Sequence, residues 1–420
     1  METQQPVRLR VFSLNCWGIR YLSRHCEQRF EMIADMLERE RHDIVLLQEV
    51  WSEQDFLSLK RKLSVTHPYS HHFKSGVIGS GLAFFSKYTL QNTLLHQYSL
   101  NGYPYKVRHG DWFGGKAVGL AVLDVTGLRV HVYITHLHAE YCRSHDEYLA
   151  HRTAQAWELQ QFVHHTSRGA ALVVLGGDLN MHPQDLGTRL VQALTGLRDC
   201  YTEAQVFDGC EDGITLIADN PFTKREDLIP FEKGIRIDYI MFKGSESLSV
   251  QCESLSTTKG SVPGHPFPYS DHEALTAELV LFHSEGSNMP VSEGLAILTE
   301  AQMVVREQRF QTESMLGKSA HLLAVGVALL LLTLALWAVP WICPGALVSL
   351  LSVLCLTAFL SGVLLYLLFL TQLKALRETD QQMSLSSNHM QERFTRCRAA
   401  LSASDEAVIS HSPSPFKWEE

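Results

Sequence analysis

The chain has 420 residues, 45% hydrophobic and 19% charged, a composition that excludes a low-complexity polymer and suffices for one large core or two ordinary ones. Its formal net charge of −9 argues against a polynucleotide partner, because Lys and Arg on phosphates supply most of that affinity. Nine Cys with no C-x-x-C spacing point to reduced thiols in a cytosolic setting rather than a disulfide framework or zinc site, and METQQPVRLRVF lacks the apolar core of a signal peptide.

From the N-terminus, RLRVFSLN alternates as a strand and ends on Asn15. Phe30, Ile33 and Leu37 then recur at helical spacing. HDIVLLQEV is too continuously apolar to be half exposed, which suits a strand covered on both faces. GLAFFSK, AVGLAVLDV and LRVHVYITHLH follow as strands with few helices between them. A helix is predicted from about 147 to 166, with Leu149, Ala156 and Val163 on one face beside Trp157. ALVVLGGDLN, IRIDYIMF and LTAELVLF complete the set. Strands in series, then helix, then strands, fit two packed mixed sheets covered by helices, an α/β class.

The sharpest boundary falls near residue 285, so residues 1–285 form the expected catalytic domain and 286–320 a linker with some helical character. Two uncharged runs, 321–339 and 346–370, give helices of roughly 29 and 37 Å, each long enough to cross a bilayer core of about 30 Å. Only PWICPG separates them, with Trp337 and Trp341 placed like interface anchors, so the pair reads as a transmembrane hairpin at 321–370. Arg306, Arg309, Lys318, Lys374 and Arg377 flank the hairpin and the turn has no positive residue, which puts both termini in the cytoplasm. Residues 371–420 read as a polar, Ser-rich, mobile tail.

Chemistry gathers where strands end. Asn15, Glu49, His136, Asp178 with Asn180, Asp238, and Asp271 with His272 each lie at the end of a predicted strand. Any one of them has an ordinary explanation as an exposed acid, an Asx turn or a surface His. Together they describe one crevice at a sheet edge. Carboxylate and amide oxygens without thiolates suit a hard cation, Mg²⁺ or Mn²⁺. A His with an Asp to orient it is a general base for water, and metal, base and amide donors together are the apparatus of phosphate-ester hydrolysis.

The motifs LNCWG, LLQEVW, THLHAE, GGDLN, RIDYI and SDHEAL, in that order, resemble the endonuclease/exonuclease/phosphatase superfamily over residues 7 to about 283. That resemblance implies a four-layer α/β/β/α sandwich, DNase-I-like, with the site at the open edge of the sheets. Inositol polyphosphate 5-phosphatases carry Cys-Asp-Arg where this chain has RIDYI, so that branch fits less well. HGDWFGGKAVGL at 109–120 is similar to a loop of the neutral sphingomyelinases, with Asp111 and Lys116 five apart.

The resemblance implies Mg²⁺ held by Glu49 with support from Asn15, and His272 as base oriented by Asp238. Asp178 and Asn180 would position water and phosphate, and His136 would stabilise developing charge; Asp271 would join the metal shell or orient its neighbour. Lys116 would pair with Asp111 or reach a lipid phosphate, and Trp112 and Phe113, flanked by Tyr103 and Tyr105, would pack the loop or meet a quaternary ammonium by cation–π contact. The implied activity is hydrolysis of sphingomyelin to ceramide and phosphocholine. Choline lysophospholipids are the alternative substrate, and a nuclease or a catalytically dead scaffold are lesser ones. The implied partner is a membrane lipid, with no nucleic acid; family and topology together imply the endoplasmic reticulum. Oligomeric state has no signal in the sequence.

Overall fold

The computed structural model describes residues 6–283, 291–338 and 345–410. Residues 286–290 of the expected linker and 340–344 of the turn, including Trp341, lie outside them. Two compact units divide after Asn288. In chain order the first unit contains β1 (Val7–Asn15), α1 (Cys26–Glu40), β2 (Ile44–Gln48), α2 (Glu53–Lys62), β3 (Tyr69–His72), β4 (Ala83–Ser86), β5 (Thr89–Gln97), β6 (Ala117–Val125) and β7 (Leu128–His136). It continues with α3 (Leu149–Thr166), β8 (Leu172–Asp178), α4 (Leu186–Thr195), β9 (Arg198–Asp199), α5 (Cys200–Glu203) and β10 (Val206–Asp208). It closes with β11 (Leu216–Ile217), β12 (Gly234–Ile235), β13 (Asp238–Gly244), β14 (Leu248–Thr257) and β15 (Leu275–His283).

Seven strands form one sheet in the order β10-β14-β15-β1-β2-β4-β3, and six form another, β5-β6-β7-β8-β13-β9. Period-2 alternation in β1 explains the layers. Leu9 and Val11 join Ile44 and Leu46 in a core shared with Val132, Ile134, Val174 and Ile240 of the other sheet. Phe12 and Leu14 point the opposite way, with Val45 and Leu47, onto Phe30, Ile33 and Leu37 of α1. On the far side α3 packs with α4 and ties to the second sheet through Tyr133 and Thr166, whose hydroxyls lie 2.8 Å apart. The result is the four-layer sandwich. Leu149, expected on the buried face of α3, is exposed because it is the first residue of the helix, whereas Ala156, Trp157 and Val163 are buried.

Register fixes the working edge. β1 and β2 run parallel, with Asn15 opposite Gln48, and β7 and β8 run parallel, with His136 opposite Asp178. β13 is antiparallel to β8 and pairs Asp238 with Asp178. Asp238 is therefore the first residue of its strand, and Asp271 and His272 precede β15. An antiparallel strand enters at the edge where a parallel one leaves, so both kinds bring residues to one rim.

The second unit is an antiparallel pair, α6 (Val291–Trp337) and α7 (Gly345–Ser410). Both are long and apolar enough over part of their length to cross a membrane. The stretches read as linker and polar tail are helical in residues 291–320 and 371–410. Outside the apolar spans, buried Asp380 of α7 accepts from Arg306 (2.8 Å), Arg309 (2.6 Å) and Gln302 (3.1 Å) of α6. Ile297, Leu298, Ala301 and Val305 of α6 and Leu373, Leu376 and Met383 of α7 are buried as well, so an apolar stripe and the ion pairs to Asp380 hold this part together. The helical character expected of the linker is present, whereas the segment read as a mobile tail is helical through residue 410.

Gly177 has φ +139°, and a Cβ there would sit inside the van der Waals shell of Thr135 O. Gly127 also has positive φ (+86°) but open space around it. Gly177→Ala is expected to destabilise the first unit by about 1–3 kcal/mol beyond the effect of Gly127→Ala. Denaturant unfolding of the two variants measures the difference; equal losses would contradict the steric account.

Candidate active site

Asn15, at the end of β1, is the hub. Its backbone-facing oxygen accepts from Trp17 N at 3.0 Å, which turns its amide nitrogen toward two carboxylates. That nitrogen donates to Glu49 Oε1 at 3.2 Å and to Asp178 Oδ2 at 3.0 Å. Asn15 therefore holds carboxylates in position as a donor. Glu49 follows β2 in a left-handed conformation, φ +58°, which re-aims its side chain toward the neighbouring strand end. Its other oxygen accepts only a long bond from Trp51 Nε1, 3.5 Å.

Asp178, Asp238 and His272 form the second focus, with donor atoms all within 4.8 Å of one another. His272 Nδ1 lies 2.8 Å from Asp238 Oδ2. The backbone of Asp238 is fixed by its N–H donating to the buried Thr215 hydroxyl at 3.2 Å. Burial, reinforced by Asp238 alongside, pushes the Asp178 carboxyl up to about 7. Burial alone would lower the pKa of His272, but Asp238, Asp271 and Asp178 outweigh it and hold the ring well above the ordinary histidine value. Desolvation, opposed by His272 and reinforced by Glu49, raises Asp271 to about 6. Asp271 accepts from its neighbour Ser270 Oγ at 3.1 Å.

The third focus surrounds Lys116, which is fully buried. Its ammonium donates to His136 Nε2 (2.7 Å) and Leu137 O (2.9 Å) and lies 3.1 Å from Asp111 Oδ1. The pairing alternative for Lys116 is thus the one adopted. Burial and then Lys116 drive His136 well below the ordinary value, so the ring is neutral. Accepting at Nε2 leaves the proton on Nδ1, a buried N–H without a partner. His136 Nε2 is 3.4 Å from Asp178 Oδ2, which links this focus to the second. Burial raises Asp111, but Lys116, His138 and His136 more than offset it and hold the carboxyl below its usual range. Asn180, at φ +49°, donates its backbone N–H to Asp178 Oδ1 (2.8 Å) and its side-chain amide to Leu137 O (2.9 Å).

The edge thus gathers Asn15, Glu49, His136, Asp178, Asn180, Asp238, Asp271 and His272, with Lys116 and Asp111 just behind His136. The aromatic expectation divides. Trp112 stacks on Phe113 at 3.6 Å, whereas Tyr103 lies beside Tyr105, with Lys106 5.8 Å from its ring.

Arg29 escaped the sequence reading. Wholly buried in α1, it donates to Cys16 O (2.6 Å), Trp17 O (2.7 Å) and Tyr269 O (3.0 Å), tying the Asn15 loop to the one that carries His272. A basic residue beside Phe30 on a helix gives no sign of that. Glu273 was also passed over, although it stands inside SDHEAL. It accepts from Asn220 Nδ2 (3.1 Å) and Gly260 N (2.9 Å), pinning the same loop.

A hard divalent cation fits this donor set. Glu49 is a half-buried carboxylate with only long hydrogen bonds, and Asp238 Oδ1 is a buried oxygen with none. Neutralising such oxygens is what an oxygen-preferring cation does.

The sequence model of the endonuclease/exonuclease/phosphatase family matches residues 12–272. Sphingomyelin phosphodiesterase 2 of Rattus norvegicus is 53% identical over 292 residues, covering 70% of this chain and 69% of that protein. Its counterpart in Mus musculus is 48% identical over 340 residues, covering 79% and 81%. Among solved structures, sphingomyelinase C from Streptomyces griseocarneus aligns with TM-score 0.51 at 19% identity, covering 65% of this chain and 99% of that one. At that identity the likeness speaks for the fold alone.

If Glu49 anchors the cation, Mg²⁺ at a hundredfold excess over its dissociation constant should stabilise the protein by about 2.7 kcal/mol. Glu49→Gln should lose most of that gain in thermal unfolding with and without Mg²⁺. An undiminished gain would move the metal to the Asp178–Asp238–His272 cluster.

Proposed function

The chain belongs to the endonuclease/exonuclease/phosphatase family and, within it, to the sphingomyelin phosphodiesterase 2 group, and from that premise we propose that it hydrolyses sphingomyelin to ceramide and phosphocholine. The observation that carries the chemistry is the 2.8 Å pairing of His272 with Asp238 beside a second buried carboxylate, Asp178. This is a base with its orienting acid at an edge rich in oxygen donors.

In the proposed mechanism water lies against Asp178 and Asn180, and His272 takes its proton through the nitrogen not bonded to Asp238. The water oxygen bonds to phosphorus in line with the ceramide oxygen, the bond to that oxygen breaks, and the departing alkoxide is protonated by solvent. Asp238 fixes the tautomer of His272 and stabilises the imidazolium as it forms. The second N–H of the Asn180 side-chain amide, whose first goes to Leu137 O, and the unpartnered Nδ1–H of His136 would donate to the non-bridging oxygens. Mg²⁺, held by Glu49 with Asn15 orienting the carboxylate, would supply neutralisation of phosphate charge; Mn²⁺ has the same ligand preference. Asp271 adds negative charge beside His272 and Glu49.

Anchoring through 321–339 and 346–370, with the first unit and both termini on the cytoplasmic face of the endoplasmic reticulum, completes the reading. The support is the apolar length of α6 and α7 and the flanking positive residues. Choline lysophospholipids remain the second substrate, since they carry the same head group and the residues named above contact only that part.

Phosphocholine release from sphingomyelin in detergent micelles tests this reading, run with Mg²⁺ and with excess chelator beside lyso-choline lipid and polynucleotide. Release from sphingomyelin that stops with chelator is expected; cleavage of polynucleotide alone would overturn it. The pH profile tests His272. A base works when neutral, so kcat/KM should rise as pH climbs through the raised His272 pKa. Asp238→Asn removes the largest cause that raises it, so the rising limb should move to lower pH while kcat falls by about 10²–10⁴. An unmoved limb would assign the titration elsewhere.

A further inference from the structure

We propose that three apolar loop tips around the active-site edge form a collar that seats this edge on a lipid bilayer containing anionic lipid. The proposal rests on the phosphodiesterase reading only in supplying a reason for the edge to face lipid. Tyr21 and Leu22, in the loop after β1, are 99% and 78% exposed. Val77, between β3 and β4, is 86% exposed, with Ile78 beside it also open. Val107, before β6, is 77% exposed, with Tyr105 next but one. These are large apolar side chains held in water at loop tips, on the rim where the catalytic residues gather. The other exposed large apolar residues of this unit that lie away from the rim sit singly on helices, on strands or at the far edge, as Leu57, Leu94, Val206 and Phe282 do. A concentration of this kind on one rim marks a surface built for an apolar partner.

The tips are structured and joined to the site. Gly115, one residue before Lys116, donates its N–H to Gly79 O at 2.8 Å and accepts from Ser75 Oγ at 2.5 Å, fastening the Val77 loop to the Lys116 strand. Val50 N donates to Gly81 O at 2.9 Å, so the same loop is anchored beside Glu49. Trp17, two residues past Asn15, packs on Phe222 at 5.2 Å, and Thr223 Oγ1 donates to Asp271 O at 3.3 Å. The Tyr21 loop is thereby linked to the one that carries His272.

Charge selects the partner. No Asp or Glu lies within three positions of Tyr21, Val77 or Val107, whereas Arg20 and Arg24, Lys74, and Lys106 with Arg108 do. Arg20, Lys74 and Lys106 are paired with Asp55, Glu53 and Glu147, so Arg24 and Arg108 carry the excess positive charge. In a chain of net charge −9, an anionic surface attracts these tips and repels the remainder, which orients the open edge toward lipid. Loop tips of this composition, aromatic and aliphatic groups between basic residues, suit the interfacial layer of a bilayer.

Val65 supplies an internal control, being 87% exposed in the segment between α2 and β3, at the opposite edge. The full chain is reconstituted in vesicles of phosphatidylcholine, phosphatidylserine and sphingomyelin, carrying either Val77→Trp or Val65→Trp. Brominated phosphatidylcholine should quench the added fluorescence at 77 and spare that at 65; equal quenching at both, or none at 77, overturns the collar. In parallel, Leu22→Ser with Val77→Ser and Val107→Ser should lower hydrolysis of vesicle sphingomyelin by about tenfold and leave a water-soluble short-chain sphingomyelin within about twofold. Equal losses on both substrates would mean a folding defect and count against the collar. Arg24→Gln with Arg108→Gln should weaken the dependence on phosphatidylserine, and an unchanged dependence would remove the charge argument. Selective quenching at 77 in a protein that hydrolyses no choline lipid would leave the collar standing and sink the phosphodiesterase reading.

Discussion

Asp178 and Asp238 face each other across one rung of the β8–β13 ladder, two carboxylates that are both buried. Like charges directly opposite on paired strands oppose folding unless something positive answers them. The surroundings are arranged around that demand. His272 stands against Asp238, Asn15 donates to Asp178 and Glu49, and Lys116 lies one side chain away through His136. Burial, reinforced by Asp238, raises the pKa of Asp178, and the neighbouring carboxylates overcome burial to raise that of His272. In the proposed chemistry a divalent cation and the charge of a phosphodiester would enter an edge that is already electrostatically unfinished.

Much of this is legible in the sequence itself. Continuous apolar strands announced a doubly covered sheet, and polar residues at successive strand ends announced a single crevice. Both signals are local, because strand period and terminal residue type are written in short stretches. What pairing alone decides was not legible. Nothing in RIDYI says that Asp238 begins its strand rather than ending it, or that its partner is Asp178; the antiparallel register does that. Arg29 and Glu273 were missed for the same reason, since their partners are backbone groups far along the chain. The helical continuation of α7 beyond its apolar run was hidden because the segment is mostly polar, with only Leu373, Leu376 and Met383 buried beside the Asp380 ion pairs.

Lys116 and Asp111 show how a motif can be seen and its use still left open. Their spacing of five suggested either an ion pair or a free lysine reaching for phosphate. The structure buries the ammonium among Asp111, His136 and a carbonyl, so its effect on the site runs through the histidine ring. By donating to Nε2 it sets which nitrogen of His136 bears a proton, leaving the buried Nδ1 protonated.

Everything in the proposed mechanism turns on water attacking phosphorus at this edge, with the ceramide oxygen leaving. Hydrolysis of sphingomyelin in ¹⁸O-enriched water, followed by mass analysis of both products, tests that most directly. One labelled oxygen in phosphocholine and none in ceramide is the predicted result. Label in ceramide would mean that the carbon–oxygen bond breaks instead, and would contradict the roles given to His272, Asp178 and Asn180.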